Sequence, residues 1–167
     1  GTNQLLEKLR KANEDLEDIQ KKLNDYLERK REAFARFYFL SNDELLEILS
    51  QTKDPTAVQP HLRKVFENID KVEFDATKKI HAMFSAEGER VDFVRVLDPA
   101  GKSVEFWMGD LEDMMKTSVR QVLLESIENY KTMKRANWVL SHKGQCVLNG
   151  SQVHWTAEVD EAIRKGT

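Results

Sequence analysis

A single cysteine, Cys146, stands among 167 residues, so the chain has no internal disulfide framework and its composition points to a reducing compartment. Charge of one sign is also missing, because 26 Lys and Arg face 29 Asp and Glu for a net −3. A dedicated nucleic-acid or anionic-membrane binder needs a clear basic excess, so neither partner is expected. No apolar run approaches the ~20 residues that span a bilayer, and the polar N-terminus does not read as a signal peptide. Internal repeats and low-complexity stretches are absent as well. What is present is a globular balance, 40 % hydrophobic against 33 % charged. A chain this long buries about 70 % of its unfolded surface and can build a core without staples. The Gly-Thr pairs at both ends, Gly1-Thr2 and Gly166-Thr167, read as cloning residues around a piece of something longer.

From Asn3 to about residue 36, apolar positions fall at Leu5, Leu9, Ala12, Leu16, Ile19, Leu23 and Tyr26, alternating steps of four and three. That is a heptad seam on one long amphipathic helix, uninterrupted by Gly or Pro. Only about three heptads are present before Lys30 takes a seam position, which favours packing along its own protein over a two-chain coiled coil. Phe34, Phe37, Tyr38, Phe39 and Leu40 cannot all face water, so this turn is expected to be buried. Ser41 with Glu44 three residues on forms a capping box for a short helix through Leu45, Leu46, Ile48 and Leu49. Asp54-Pro55 ends it, and a third short helix follows with Pro60 in its first turn and Leu62, Val65, Phe66 and Ile69 inward.

The period then changes to two. Val72, Glu73 and Phe74 make a short extended stretch. The runs Ile80–Phe84 and Val91–Leu97 flank Ala86-Glu87-Gly88-Glu89 and predict an antiparallel hairpin, its second strand apolar on both faces and hence covered on both. Ser103 starts a second long helix to about residue 130, lined by Trp107, Leu111, Met115, Val119, Val122, Leu123 and Ile127. Beyond a basic connector, residues 138–165 carry two conflicting signals. Asn149-Gly150 between apolar triplets suggests a hairpin, while Val147, Ser151, Trp155, Val159 and Ala162 recur at helical spacing.

Chemistry is harder to find. Ala100-Gly101-Lys102-Ser103 sits between a strand and a helix, the setting of a phosphate-binding loop. The first glycine of that motif would fall at Val96, and Pro99 removes one N–H from the cradle, so the match is partial. His142 and Cys146 are four apart with His154 further on, but a structural zinc site needs four ligands in paired short spacings. Carboxylate runs such as Glu14, Asp15, Glu17 and Asp18 lie on solvated helix faces. No residue is assigned a catalytic, cofactor-binding or metal-ligating role. Phe37, Phe39, Ser41, Glu44, Pro60, Gly88, Trp107, Trp138, Gln145 and Trp155 are the candidates for structural or interface roles.

Longer blocks carry a resemblance. Residues 16–23 and 26–31, then Phe37-Tyr38-Phe39-Leu40-Ser41-Asn42-Asp43-Glu44-Leu45-Leu46-Glu47-Ile48-Leu49-Ser50, Thr52-Lys53-Asp54-Pro55 and Val58-Gln59-Pro60-His61-Leu62, look like the dynein heavy chain linker. So do Met83-Phe84-Ser85-Ala86-Glu87-Gly88-Glu89-Arg90-Val91, Ser118-Val119-Arg120, Gly144-Gln145, Ser151-Gln152, Trp155-Thr156 and Glu158-Val159. The chain departs from the family at Ala35, where Pro is usual, and at His142-Lys143, where Trp-Pro is usual. The resemblance implies the C-terminal half of the linker, just before the first ATPase module. In the family this is a mostly helical element arched across a ring of ATPase modules, and its swing moves the motor along microtubules. It implies a helix over residues 138–165.

The resulting expectation is a mainly α segment covering residues 1–167, with long amphipathic helices in a rod-like bundle and one small antiparallel β-hairpin. Its parts are a long helix over 3–36, short helices over 41–69, a hairpin region over 72–97, a long helix over 103–130 and a helical segment over 138–165. The implied role is a non-catalytic lever without cofactor. Its partners would be the ATPase ring modules of the same heavy chain and, indirectly, the microtubule motor assembly. The location would be cytoplasmic and cytoskeletal, with the Leu40-Ser41-Asn42 wording leaning to the axoneme of cilia or flagella. The alternative is a helical binding module that docks a partner along the Leu5–Tyr26 seam.

Overall fold

The computed structural model describes residues 2–51 and 54–166. Thr52 and Lys53 of the resemblance, and Gly1 and Thr167 of the terminal pairs, lie outside them. The chain is mainly α and divides into two compact units, one of residues 1–67 and 99–109, the other of residues 68–98 and 110–167.

The first unit is built on a long helix, α1 (Thr2–Ala33), and a 3-10 turn at Ala35–Phe39. It continues through α2 (Asn42–Ser50), a second 3-10 stretch at Pro55–His61 and the short α3 (Leu62–Val65). Its core gathers Leu27, Phe34, Phe37, Leu40, Leu45, Ile48, Val58, Leu62, Val65 and Phe66. The aromatic turn is not buried as a block. Phe37 is fully enclosed, whereas Phe39 is 66 % exposed and Tyr38 faces solvent too. A 3-10 turn repeats every three residues, so Phe34, Phe37 and Leu40 share the inward row and the two aromatics between them point elsewhere. Phe34 meets Phe37 edge-on at 5.0 Å and 79°.

Two more expectations change here. Pro60 lies inside the second 3-10 stretch and is exposed, rather than opening the third helix. Ile69 is not on that helix at all, because Asn68 adopts φ +68° and turns the chain into a strand. Asn tolerates this left-handed conformation better than most residues.

The second unit holds an antiparallel sheet of three strands in the order β1 (Ile69–Phe74), β2 (Ile80–Ser85), β3 (Arg90–Leu97), not the isolated hairpin expected. The missed pairing joins Val72 to Met83 and Glu73 to Ala82. Its turn contains neither Gly nor Pro. Asp75 makes it instead, its carboxylate accepting from the Thr77 and Lys79 N–H groups at 2.7 and 3.0 Å. The β2–β3 turn is the one the sequence marks. Gly88 takes φ +85° and donates to the Ser85 carbonyl at 3.1 Å. Pairing runs Phe84↔Arg90 to Ala82↔Asp92 and resumes at Ile80↔Leu97, so β3 bulges over residues 93–96. Only one face of β3 is covered, with Phe93 and Leu97 buried and Val94 and Val96 about half exposed.

Helix α4 (Val104–Asn129) contributes residues to both units. Trp107, Leu111 and Met115 are buried as expected, but Val119 is exposed. The buried row passes instead through Ser118 and Ser126, polar positions that a search for apolar residues skips. Gly109 interrupts the helix without need, since a Cβ built there meets nothing within 4 Å. Gly109→Ala should raise stability by up to about 1 kcal/mol, seen as a higher urea midpoint. An unchanged or lower midpoint would contradict it.

The last segment is two helices, α5 (Arg135–Ser141) and α6 (Gly144–Lys165), with His142 and Lys143 extended between them. Asn149-Gly150 is no turn. Gly150 is buried in mid-helix, where the Trp138 ring comes so close that a Cβ on residue 150 would stand 3.0 Å from its Cζ2. The Trp138 indole donates to the Ser126 carbonyl at 2.7 Å. Tyr130 packs edge-on against that indole at 5.0 Å and stacks on His154 at 4.0 Å.

Candidate functional site

No cluster of three or more His, Cys, Asp or Glu side chains fit to hold a metal occurs among the described residues. The three residues weighed as ligands have other surroundings. His142 lies against Asn129, the His154 Nε2–H donates to the Ile127 carbonyl at 2.8 Å, and Cys146 is buried. Burial, with Glu89 beside it, pushes the Cys146 thiol up, away from a reactive thiolate. Around the partial phosphate-loop motif, the Lys102 N–H donates to the Pro99 carbonyl at 3.3 Å, while Phe106 and Trp107 donate to the Ser103 carbonyl. Cys146 also lines a half-open apolar cavity of about 150 Å³, with Ile69, Met83, Val91, Val119 and Val122.

The features that stand out are an unpartnered helix face and a set of built joints. On α1, residues 3–26 are all exposed, including Leu5 at 58 %, Leu16 at 62 % and Ile19 at 61 %. The seam is therefore not covered by the other described residues of this chain. Helical periodicity shows which residues share a face, but not what covers it.

The first joint sits where α1 ends. Arg31, which the sequence reading missed, is buried there. Its guanidinium donates to the Leu40 carbonyl at 3.1 Å, to Asn42 Oδ1 at 2.8 Å and to Glu28 at 3.2 Å. One planar donor fork thus ties the last turn of α1 to the entry of α2. Its only sequence signal was an arginine beside an aromatic block. Beside it Lys30 reaches Glu105, in the first turn of α4, at 2.6 Å. Burial pushes the Glu105 carboxyl up, but the Lys30 ammonium, the residue's own N–H and the Ser103 hydroxyl outweigh it and leave it below the usual value.

The second joint is the capping box. Ser41 Oγ accepts from the Glu44 N–H at 3.3 Å, and Glu44 Oε2 accepts from the Ser41 N–H at 3.0 Å. Glu44 also pairs with Lys64. Lys64 first, then the Ser41 N–H, lower the Glu44 carboxyl from 4.5 to about 2. A carboxyl depressed in the fold contributes stability above its unfolded value and loses it as pH falls from about 4.5 to about 2. Glu44→Gln keeps the cap geometry but not the charge, so its urea midpoint should fall less than the parent's between pH 5 and pH 2. Parallel acid curves would show that the charge contributes nothing.

The third joint is in the second unit. Glu89, on the β2–β3 turn, accepts from the Gly144 N–H at 2.8 Å and so caps α6. Ser118 Oγ accepts from the Val94 N–H at 3.2 Å and donates to the Met114 carbonyl at 2.8 Å. A helix hydroxyl thereby covers part of an edge strand that would otherwise offer a free donor. Ser118→Ala leaves that N–H without its acceptor and should cost about 1 to 3 kcal/mol. Hydrogen exchange at Val94 as slow as in the parent would count against the bond.

Of the sequence candidates, the structure brings Phe37, Ser41 and Glu44 to the α1–α2 corner, and it buries Trp107 and Trp138. Gly88 serves the β2–β3 turn. Phe39, Pro60, Gln145 and Trp155 are on the surface, Trp155 at 67 % exposure, and join neither core.

The chain is mainly α, with anchored helix ends and one small antiparallel sheet. The chain belongs to the dynein heavy chain family. A family profile described as "Dynein heavy chain, N-terminal region 2" matches residues 1–126. The chain is 52 % identical to "Dynein axonemal heavy chain 1" of Homo sapiens over 162 residues, 97 % of this chain and 4 % of that protein. It is also 52 % identical over 165 residues to "Dynein axonemal heavy chain 3" of Homo sapiens (98 % of this chain, 4 % of that protein) and to "Dynein axonemal heavy chain 12" of Mus musculus (98 % and 5 %). The chain thus spans about one twentieth of the length of these relatives.

Proposed function

We propose that residues 1–167 form the C-terminal half of the linker of an axonemal dynein heavy chain, preceding its first ATPase module. In this role the segment performs no catalysis and holds no cofactor. It relays the nucleotide-driven change of the ATPase ring of the same heavy chain to the microtubule motor assembly, in the axoneme of a cilium or flagellum. The observation that carries the reading is the 52 % identity to an axonemal heavy chain across 97 % of this chain. The joints support it physically. A relay must transmit force without shear, and helices fastened at their ends by buried groups such as Arg31 and Trp138 resist sliding. No helix among the described residues is long and apolar enough to cross a membrane, and the near-balanced charge speaks for no nucleic-acid partner.

The test is made in the full heavy chain. Arg31→Ala should slow microtubule gliding severalfold while ATP turnover persists. Gliding at the parental speed, or ATP hydrolysis by the 167-residue chain alone, would overturn the reading. The exposed α1 seam favours a second reading, a binding module for a helical partner. Loss of a captured partner on Leu16→Asp, with gliding intact, would promote it.

A further inference from the structure

Cys146 lines an apolar cavity of about 150 Å³ for which the relay has no use. Three layers of the second unit wall it. Met83 and Val91 are cross-strand partners on β2 and β3, Val119 and Val122 stand about one turn apart on α4, and Cys146 lies in the first turn of α6. The valines are short, so the walls do not close on one another. Such a gap forfeits dispersion contacts that a filled core would make. Water does not restore them, because a buried water needs two or more polar partners. Ser85 and Glu89 on the wall are engaged elsewhere: Ser85 Oγ accepts from the Glu89 N–H at 3.2 Å, and Glu89 Oε1 accepts from the Gly144 N–H at 2.8 Å. An apolar cavity of this volume stays dry and has room for about one benzene ring.

A polar cavity of about 400 Å³ adjoins it, and Val91, Val122 and Lys143 line both. Lys143 thus stands at the junction. Among the described residues its ammonium forms no ion pair. It is also the N-cap residue of α6, so the positive end of that helix adds to its charge. The neighbouring carboxylates are committed or further out. Arg90 holds Asp92 at 2.8 Å and Glu73 at 2.7 Å, Glu89 caps α6, and Glu125 lines only the polar cavity. Ligand sites of this kind combine an apolar interior with a few placed polar groups that fix orientation.

We propose that the two cavities form a binding site for a small aromatic carboxylate, its ring among Met83, Val91, Val119, Val122 and Cys146 and its carboxylate at Lys143. The ring recovers the missing contacts, and the anion meets the one cation at the junction that has no counter-ion. The site lies wholly within the second unit and does not depend on the relay reading.

The test titrates hydrocinnamate, toluene and acetate separately into the isotope-labelled 167-residue chain and follows the amide signals by NMR. Hydrocinnamate should bind saturably with a Kd of about 1 mM, ordinary for a ligand of this size, and shift the amides of Met83, Val91, Val122 and Cys146. Toluene should shift the same amides about fivefold more weakly, and acetate should not saturate. Lys143→Gln should bring hydrocinnamate down to the toluene level and leave toluene unchanged. At ten times its Kd, hydrocinnamate should also slow alkylation of Cys146 by N-ethylmaleimide about tenfold. Hydrocinnamate that shifts no amide saturably, binds no tighter than toluene or ignores Lys143→Gln would overturn the proposal. Unchanged alkylation at saturation would do the same. Acetate binding as tightly as hydrocinnamate would reduce the site to an adventitious anion contact and overturn it too.

Discussion

Replacing Phe37 by alanine should destabilise the chain by about 3 to 5 kcal/mol, while Phe39→Ala should change it by less than about 0.5 kcal/mol. The two residues are two apart in one aromatic run, but Phe37 has no exposed surface and Phe39 is 66 % exposed. Truncating Phe37 removes a ring that meets Phe34 at 5.0 Å and opens a void in the core of the first unit. Relaxation is limited, because the Phe37 N–H and carbonyl are spent on Phe34 and Leu40 within the turn. The cavity therefore persists and its full cost is felt. Urea unfolding of both variants measures the contrast. Equal losses would mean that the 3-10 turn does not set which ring is buried.

That contrast also marks what sequence could show. Signals confined to a few adjacent residues were legible: the Ser41–Glu44 capping box, the Gly88 turn and the unbroken heptads of α1. Signals that depend on a period other than 3.6 or 2 were not. The inward row of Phe34, Phe37 and Leu40 repeats every three residues, and neither a helix nor a strand template finds it. The β1–β2 turn escaped because Asp75 folds it without Gly or Pro. The His81 side chain first, and then Thr77, hold the Asp75 carboxyl well below the usual carboxylate range, so it stays an acceptor for that turn. Arg31, Ser118 and Ser126 are buried polar residues, and burial of that kind follows from partners that only the fold supplies.

The seam of α1 is the opposite case, where the pattern was legible and its setting was not. Heptads state that a face is apolar, and the same face suits an intrachain neighbour or a partner. The structure leaves it open among the described residues. Family resemblance did one further thing that local reading could not. It favoured helix over hairpin at Asn149-Gly150, where the dipeptide rule points the wrong way.

The reason that rule fails there yields the second large effect. Trp138→Ala should cost about 3 to 5 kcal/mol, since the ring is fully buried and its N–H bonds the Ser126 carbonyl at 2.7 Å. Gly150→Ala, in the parent, should cost about 1 to 3 kcal/mol by overpacking, because the added methyl would stand 3.0 Å from the ring. The two sites are coupled through that one contact, so their effects should not add. In a chain already carrying Trp138→Ala, the methyl has room, and alanine is the better helix former by about 0.8 to 1 kcal/mol. Gly150→Ala should then be neutral or stabilising in that background. A double-mutant cycle in urea reads the sign directly. A penalty that stays the same in both backgrounds would show that glycine is required at residue 150 for a reason other than the close approach of the indole.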